Sequence, residues 1–387
     1  MRILIVFPLV AMMLGVSSLP VTARTRPEEP PARTLGRVFG KLRTGRAVTV
    51  AFLGGSATSG IGTKHPERSS FPALVTQWLR RQYPQNRIEY INAGVPATGA
   101  LYGTLRLRRD LLSLKPDLVL IELTQEDADE DQRIVVKSIE GILRQLLVQA
   151  EPPEVLLLAA SSPRADTSPT TFRTVAAHYG IPVLDLWPAT KELSASGRLS
   201  PASLYNRDHE LTDYGHRFYA DRIIDFMHDQ TGRPETPIAR RLPPPLVSDE
   251  LNYGEFRVLA EFATGKDWRL ERSRSPHLPT LLLVSDRPGA TIEAVFEGTV
   301  VGLTWLRGPS AESFEVLIDG RPASFPLNRI DCEAERESIG TAVIPGGLGL
   351  GEHRLTIRLV RNQPSRQGGR KVRLGFLLVG GQRPERL

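Results

Sequence analysis

The residue with the clearest chemical setting is Ser56. It sits in the stretch Val48 to Gly62, VTVAFLGGSATSGIG, where a β-branched and apolar run stops at Gly54-Gly55 and gives way to small residues. A serine held on a tight strand-to-helix turn exposes its hydroxyl at the carboxyl end of a parallel sheet. Small neighbours such as Gly55 then admit an acyl group to the backbone N–H groups. Phosphate loops use similar glycines, but their Lys-Ser/Thr is absent and Thr63-Lys64 stands in the reverse order. The expected chemistry is therefore acyl transfer through a serine ester. That chemistry needs a base within hydrogen-bond reach and donors for a tetrahedral oxyanion.

Further blocks follow in order: Ile91-Asn92-Ala93-Gly94, Pro116 to Glu122, His178 to Leu186, and Leu211-Thr212-Asp213-Tyr214-Gly215-His216. From Gly36 to Gln230 this series resembles the SGNH (GDSL-like) hydrolases in block order and spacing. The resemblance implies a cofactor-free ester hydrolase with Ser56 as nucleophile and Gly94 as an oxyanion donor, with Thr98 and Gly99 shaping the pocket. Its third donor is an asparagine just past the third strand, where Glu126 stands here beside Gln125. A carboxylate accepts hydrogen bonds and its charge opposes an oxyanion. Two remedies are open: Gln125 donates its amide after a loop shift, or Glu126 stays protonated in a dry pocket.

The family's base comes from an Asp-x-x-His in the last block. Holding the register at Leu211 to His216 puts Glu210 at the histidine and Arg207 at the aspartate. A shift of one restores His209 and leaves Asn206 at the aspartate. An imidazole, with its reference pKa near 6.5, suits proton transfer at neutral pH better than a carboxylate near 4.3. His209 is therefore the expected base, with Asp208 or Asp185 as candidate partners and Glu210 turned aside. His216 reads as a structural histidine, and Asp213 as a helix-dipole residue.

The elements that must hold these residues alternate. Strands are expected at Thr49–Leu53, Ile88–Asn92, Leu118–Leu123, Val155–Ala160 and Val183–Leu186. Helical spacing marks Phe71–Gln82, Tyr102–Leu112, Asp131–Gln149 and Thr170–His178, and Thr212 reads as the N-cap of a helix over Asp213–Asp229. Such alternation predicts a mostly parallel sheet covered on both faces, the three-layer flavodoxin-like α/β arrangement of the resemblance. This first domain is expected over 36–231. A proline-rich linker over 232–250 follows, and then an antiparallel β-sandwich over 251–387 whose strands alternate with period two. Asp319-Gly320 signals a type I′ hairpin. The runs GTVVGLTWLRG and IDGRPASF resemble jelly-roll-like modules beside SGNH domains in microbial carbohydrate esterases. In such a module Trp268 and Trp305 are either core residues or platforms for sugar rings.

At 387 residues the chain suits two domains. Its net charge of +6 comes from scattered arginines, with no basic run interleaved with aromatics, which argues against a nucleic-acid site. Residues 1–23 read as a signal peptide and 24–35 as a disordered leader, so a secreted or periplasmic location is expected, with no membrane attachment after cleavage. The lone Cys332 permits no internal disulfide. The histidines His65, His178 and His228 lack ligand spacing, so no metal is expected. Two functions compete on this reading: an esterase for acylated carbohydrate, and a lapsed scaffold that binds carbohydrate or serves a structural role. The oligomeric state is left open.

Overall fold

A computed structural model describes residues 32–123, 126–160, 170–197, 200–238, 241–262, 266–309, 311–324, 326–330, 332–334, 337–360 and 371–381. The expected signal peptide, most of the leader, and Gln125 lie outside these residues. The α/β half opens with α1 (Gly36–Arg43), β1 (Val48–Gly54) and two short helices, α2 (Ser56–Ser59) and α3 (Pro66–Ser69). Next come α4 (Phe71–Gln82), β2 (Ile88–Gly94), α5 (Ala100–Asp110) and β3 (Leu118–Glu122). It continues through α6 (Gln132–Leu147), β4 (Glu154–Ala159), α7 (Thr170–Tyr179) and β5 (Val183–Asp185). The helices α8 (Trp187–Ala195), α9 (Pro201–Leu204) and α10 (Asp213–Gln230) complete it.

The five strands pair in parallel in the order β2-β1-β3-β4-β5. The apolar runs of β1, β3 and β4 are buried on both faces, as the inner strands of a helix-covered parallel sheet require. One core joins Val50, Phe52 and Leu120 to α4 and α10; the other joins Ala51, Leu53 and Ile121 to α6 and α7. The N-cap at Thr212 forms as the sequence predicts: its Oγ1 accepts the Gly215 N–H. Because β1 pairs with both β2 and β3 in parallel, the loops after β1, β2 and β3 converge at one end of the sheet. In a doubly wound sheet that is where ligands bind.

The second half is antiparallel. Its strands are β6 (Gly254–Val258), β7 (Arg269–Arg272), β8 (Leu281–Ser285), β9 (Thr291–Glu297), β10 (Val300–Arg307) and β11 (Ser313–Ile318), followed by the short β12 (Arg321–Pro322) and β13 (Arg329–Ile330). The long strands β14 (Ser338–Ile344), β15 (Glu352–Val360) and β16 (Val372–Gly380) close it. One sheet runs β14-β10-β16-β8-β7 with β6 also on β16, the other β12-β11-β15-β9 with β13 on β11. Asp319 and Gly320 both take positive φ, 51° and 76°, between β11 and β12, as a type I′ turn demands. Trp268 and Trp305 are core residues rather than sugar platforms: they are 8% and 5% exposed in the cluster between the sheets. Cys332 is buried in the same cluster.

The proline-rich connection is packed rather than free. Thr34 binds Pro234 and Thr236. Further on, the buried Glu140 of α6 accepts the N–H groups of Leu246, Val247 and Ser248. Arg144 donates to Pro243 O. The two halves also share a core, in which Val95, Tyr102 and Leu105 meet Leu251, Phe376 and Leu378. Arg109 of α5 lies over Phe256 and Phe376, 4.3 and 4.9 Å from the ring centroids. An ion pair between Lys137 and Glu250 adds to this contact.

Candidate active site

The turn at Ser56 is shaped by what crowds it. A Cβ at Gly54 would meet Thr58 Oγ1 at 1.9 Å and Glu122 O at 2.4 Å. One at Gly55 would lie 2.1 Å from the Glu126 carboxyl carbon. Glycine at both positions lets β1 end against α2 and the loop after β3. Asn92 at the end of β2 then ties the turn down, its Nδ2 donating to Thr58 O at 2.9 Å. The fully buried Arg106 donates to Gly54 O (2.9 Å) and Ala93 O (2.7 Å), and is balanced by Asp110. A buried guanidinium thus braces the ends of the two strands from which the site projects.

Ser56 is half-buried, and its Oγ accepts the Ala97 N–H at 3.0 Å. Ala97 has φ +57°, a left-handed conformation rare for alanine, and that backbone aims its N–H at the hydroxyl. The donor expected from Gly94 is a different one: the Gly94 N–H is taken by Asn92 Oδ1 at 2.9 Å. Motif alignment favoured the glycine. The residue that presents its N–H lies three positions on, and only the backbone conformation reveals it.

Glu126 stands at the Ser56 backbone. Its Oε1 accepts the Ser56 N–H at 2.5 Å, so a carboxylate oxygen occupies the place where a reaction oxyanion would be bound. Its neighbour Asp127 is buried and caps α5, accepting the Ala100 N–H at 2.9 and 3.2 Å. Burial pushes the Asp127 pKa up to about 7; the Ala100 hydrogen bond opposes the rise, and the charges of Glu126 and Glu130 add to it.

The last block forms an exposed turn closed by a bridge between Tyr205 and Leu211. Asn206 organises it, its Oδ1 accepting the N–H groups of Asp208 and Glu210 while its Nδ2 donates to Glu210 Oε2. Asp208 and His209 are exposed on this turn, and His209 takes φ +63°. Glu210 is half-buried against the loop leaving α2, its Cβ 3.0 Å from where a Cβ on Gly62 would stand. The structure thus brings Gly55, Ser56, Ala97 and Glu126 together, while His209 stands on the exposed turn. Asp185 is engaged elsewhere, paired with Arg173 and capping Trp187 N. His216 is a structural residue. Buried, it accepts the Phe71 N–H at Nδ1 and sets Nε2 3.4 Å from Ile61 O. Burial pushes its pKa down to about 4, against the Ile61 hydrogen bond and Asp213.

This geometry, a serine hydroxyl and a convergent backbone N–H at the switch point of a parallel sheet, fits acyl transfer. Residues 52–218 match the GDSL-like Lipase/Acylhydrolase family. The α/β half is a GDSL-like domain. Over 92% of its length the chain shares its fold with a two-domain esterase active on acetylated mannans. One crystal structure of that esterase, co-crystallised with mannopentaose, superposes with a TM-score of 0.77 at 21% identity, covering 92% of this chain and 97% of the other. A second has a TM-score of 0.77 at 22% identity, covering 89% and 94%. No curated protein matches the chain by sequence. An α/β half followed by an antiparallel sandwich is therefore a fold that this chain shares with another protein.

Proposed function

We propose that this protein is an exported serine esterase that removes acetyl or similar acyl groups from carbohydrate, with the sandwich assisting substrate binding. The observation that carries this reading is the Ala97 N–H at 3.0 Å from Ser56 Oγ, a donor aimed by a strained backbone at the one serine set on the strand-to-helix turn. Ser56 gives its hydroxyl proton to the base as its Oγ attacks the ester carbonyl, and the Ser56 and Ala97 N–H groups receive the oxyanion. The sugar hydroxyl leaves with a proton from the base, and water then releases the carboxylic acid. His209 serves as the base after the exposed Asn206–Glu210 turn folds in over the substrate. Glu126 must leave the Ser56 N–H, or carry a proton, before the oxyanion forms.

That same carboxylate is the specific observation favouring a second reading, in which the site has lapsed and the two domains bind carbohydrate without cleaving it. Labelling decides between them. A fluorophosphonate should modify Ser56, identified by peptide mass, and Ser56→Ala should abolish both labelling and hydrolysis of an aryl acetate. His209→Ala should abolish turnover, while Glu210→Ala should keep most of it. Wild type that neither labels nor turns over would leave the binding reading in place.

A further inference from the structure

The Pro96-Ala97 loop that serves Ser56 also faces the sandwich across a cleft of about 880 Å³, whose far wall includes Arg272, Arg274, His277 and Glu337. Arg272 ends the edge strand β7 and Arg274 follows it. Both are exposed, whereas Glu271, Ser273 and Ser275 are half-buried, a period of two that puts the two guanidiniums on one face. The acids of that wall are already neutralised: Glu271 pairs with Lys371 and Arg373, and Glu337 with Arg373. Among the described residues neither the Arg272 nor the Arg274 side chain makes an ion pair or hydrogen bond, so they are the uncompensated charge of the wall. On the other side of Ala97 a smaller cleft of about 420 Å³ carries Asp127 and Glu130. The loop that serves the catalytic serine therefore divides a cationic channel from an acidic one.

We infer that the carbohydrate this site accepts is an acylated anionic polysaccharide whose uronate carboxylates lie along Arg272 and Arg274. The inference rests on the esterase reading for what happens at Ser56, but not for binding. Arginines two positions apart in extended chain stand ~7 Å apart, and the Ser273 N–H bond to Thr280 O carries the β7 pairing one residue past Arg272. That spacing suits carboxylates repeated along a polymer better than a single small anion. The guanidinium fork matches a carboxylate with two parallel hydrogen bonds. A chain approaching from the Arg272 side brings its acylated unit to Ala97, while the exposed Glu130 on the opposite side disfavours an anionic chain there.

The test uses the full-length protein and affinity electrophoresis in gels containing O-acetylated polygalacturonate, O-acetylated mannan or dextran sulfate. Acetate release from the two acetylated polymers is measured on the same preparations. Wild type should bind polygalacturonate about tenfold more tightly than mannan or dextran sulfate, equivalent to ~1.4 kcal/mol. The preference should collapse in 1 M salt, where the screening length is about 3 Å. Arg272→Gln with Arg274→Gln should abolish the preference, whereas Arg81→Gln on α4, an equal loss of charge per site, should retain it. Equal binding to mannan, or a preference that survives the double substitution, overturns the inference even if acetate is released. Equal or tighter binding to dextran sulfate overturns the carboxylate assignment. A polygalacturonate preference without acetate release from either polymer upholds the inference and removes the esterase reading instead.

Discussion

At the scale of single residues, the site combines one feature that favours acyl transfer with one that opposes it. Ala97 spends a strained conformation on aiming an N–H at Ser56 Oγ, and Glu126 spends a carboxylate on the neighbouring N–H. An oxyanion donor is worth roughly 3 kcal/mol of transition-state stabilisation. Glu126→Asn should therefore raise aryl-acetate hydrolysis at neutral pH by at least ~10-fold, by removing the competing charge and adding a donor amide. A rate unchanged or lowered in a folded variant would mean that Glu126 takes part in turnover rather than obstructing it. At position 97 the expectation is milder. Ala97→Gly relieves a left-handed alanine, and should keep turnover while leaving the melting temperature equal or higher.

At the scale of elements, two buried titratable groups pin the helices around the site and pull stability in opposite directions with pH. Asp127, the cap of α5, has its folded pKa raised from 3.8 to about 7, so the folded state holds the extra proton between these values. Its contribution to stability is present below about pH 4 and lost as pH rises toward 7. His216, which pins α10 to the start of α4, has its folded pKa lowered from 6.5 to about 4. Its contribution is present above about pH 6.5 and lost as pH falls toward 4. The two partly cancel in wild type. Asp127→Asn, which keeps an acceptor for Ala100, should expose the histidine alone, giving a melting temperature that climbs from pH 4 to 6.5 more steeply than in wild type. Parallel curves for the two proteins would refute this account.

Across the whole molecule, the proline-rich connection and the sandwich are structural parts of the GDSL-like half. Burial acts to raise the pKa of Glu140, but hydrogen bonds from Tyr179 and from the Ser248, Leu246 and Val247 N–H groups hold it below the ordinary range. Glu140→Ala strands the buried Tyr179 hydroxyl, at ~1–3 kcal/mol, and removes the shared acceptor of three partly buried N–H groups. A loss of ~2 kcal/mol or more in denaturant unfolding is expected, and a loss under ~1 kcal/mol would show that the proline-rich connection, a strap across α6, is loosely held. Truncation after Gln230 is harsher. It removes the strap and uncovers Val95, Tyr102 and Leu105, whose burial is worth about 2 kcal/mol each. The fragment should be insoluble or lack a cooperative thermal transition, whereas a soluble, cooperatively melting fragment would show that the shared core is dispensable.

The sequence by itself determined the periodic parts of this protein. Buried strands of a parallel sheet read as unbroken apolar runs, the sandwich strands alternate with period two, and Asp319-Gly320 permits few turns other than the one found. The turn that presents Ser56 was equally legible, because Gly54-Gly55-Ser56 combines the close approach and exposure that such a turn needs. Tertiary structure alone decided the rest, since it depends on contacts between distant residues. Gly94 and Ala97 are both small residues past one strand, and only the backbone path shows which N–H reaches Ser56 and which is held by Asn92. The tryptophans were readable as core or platform until the second sheet closed over them. The proline content of the connection correctly excluded a helix or central strand, but composition carries no information about Glu140, more than a hundred positions away in the chain, reaching back to hold it.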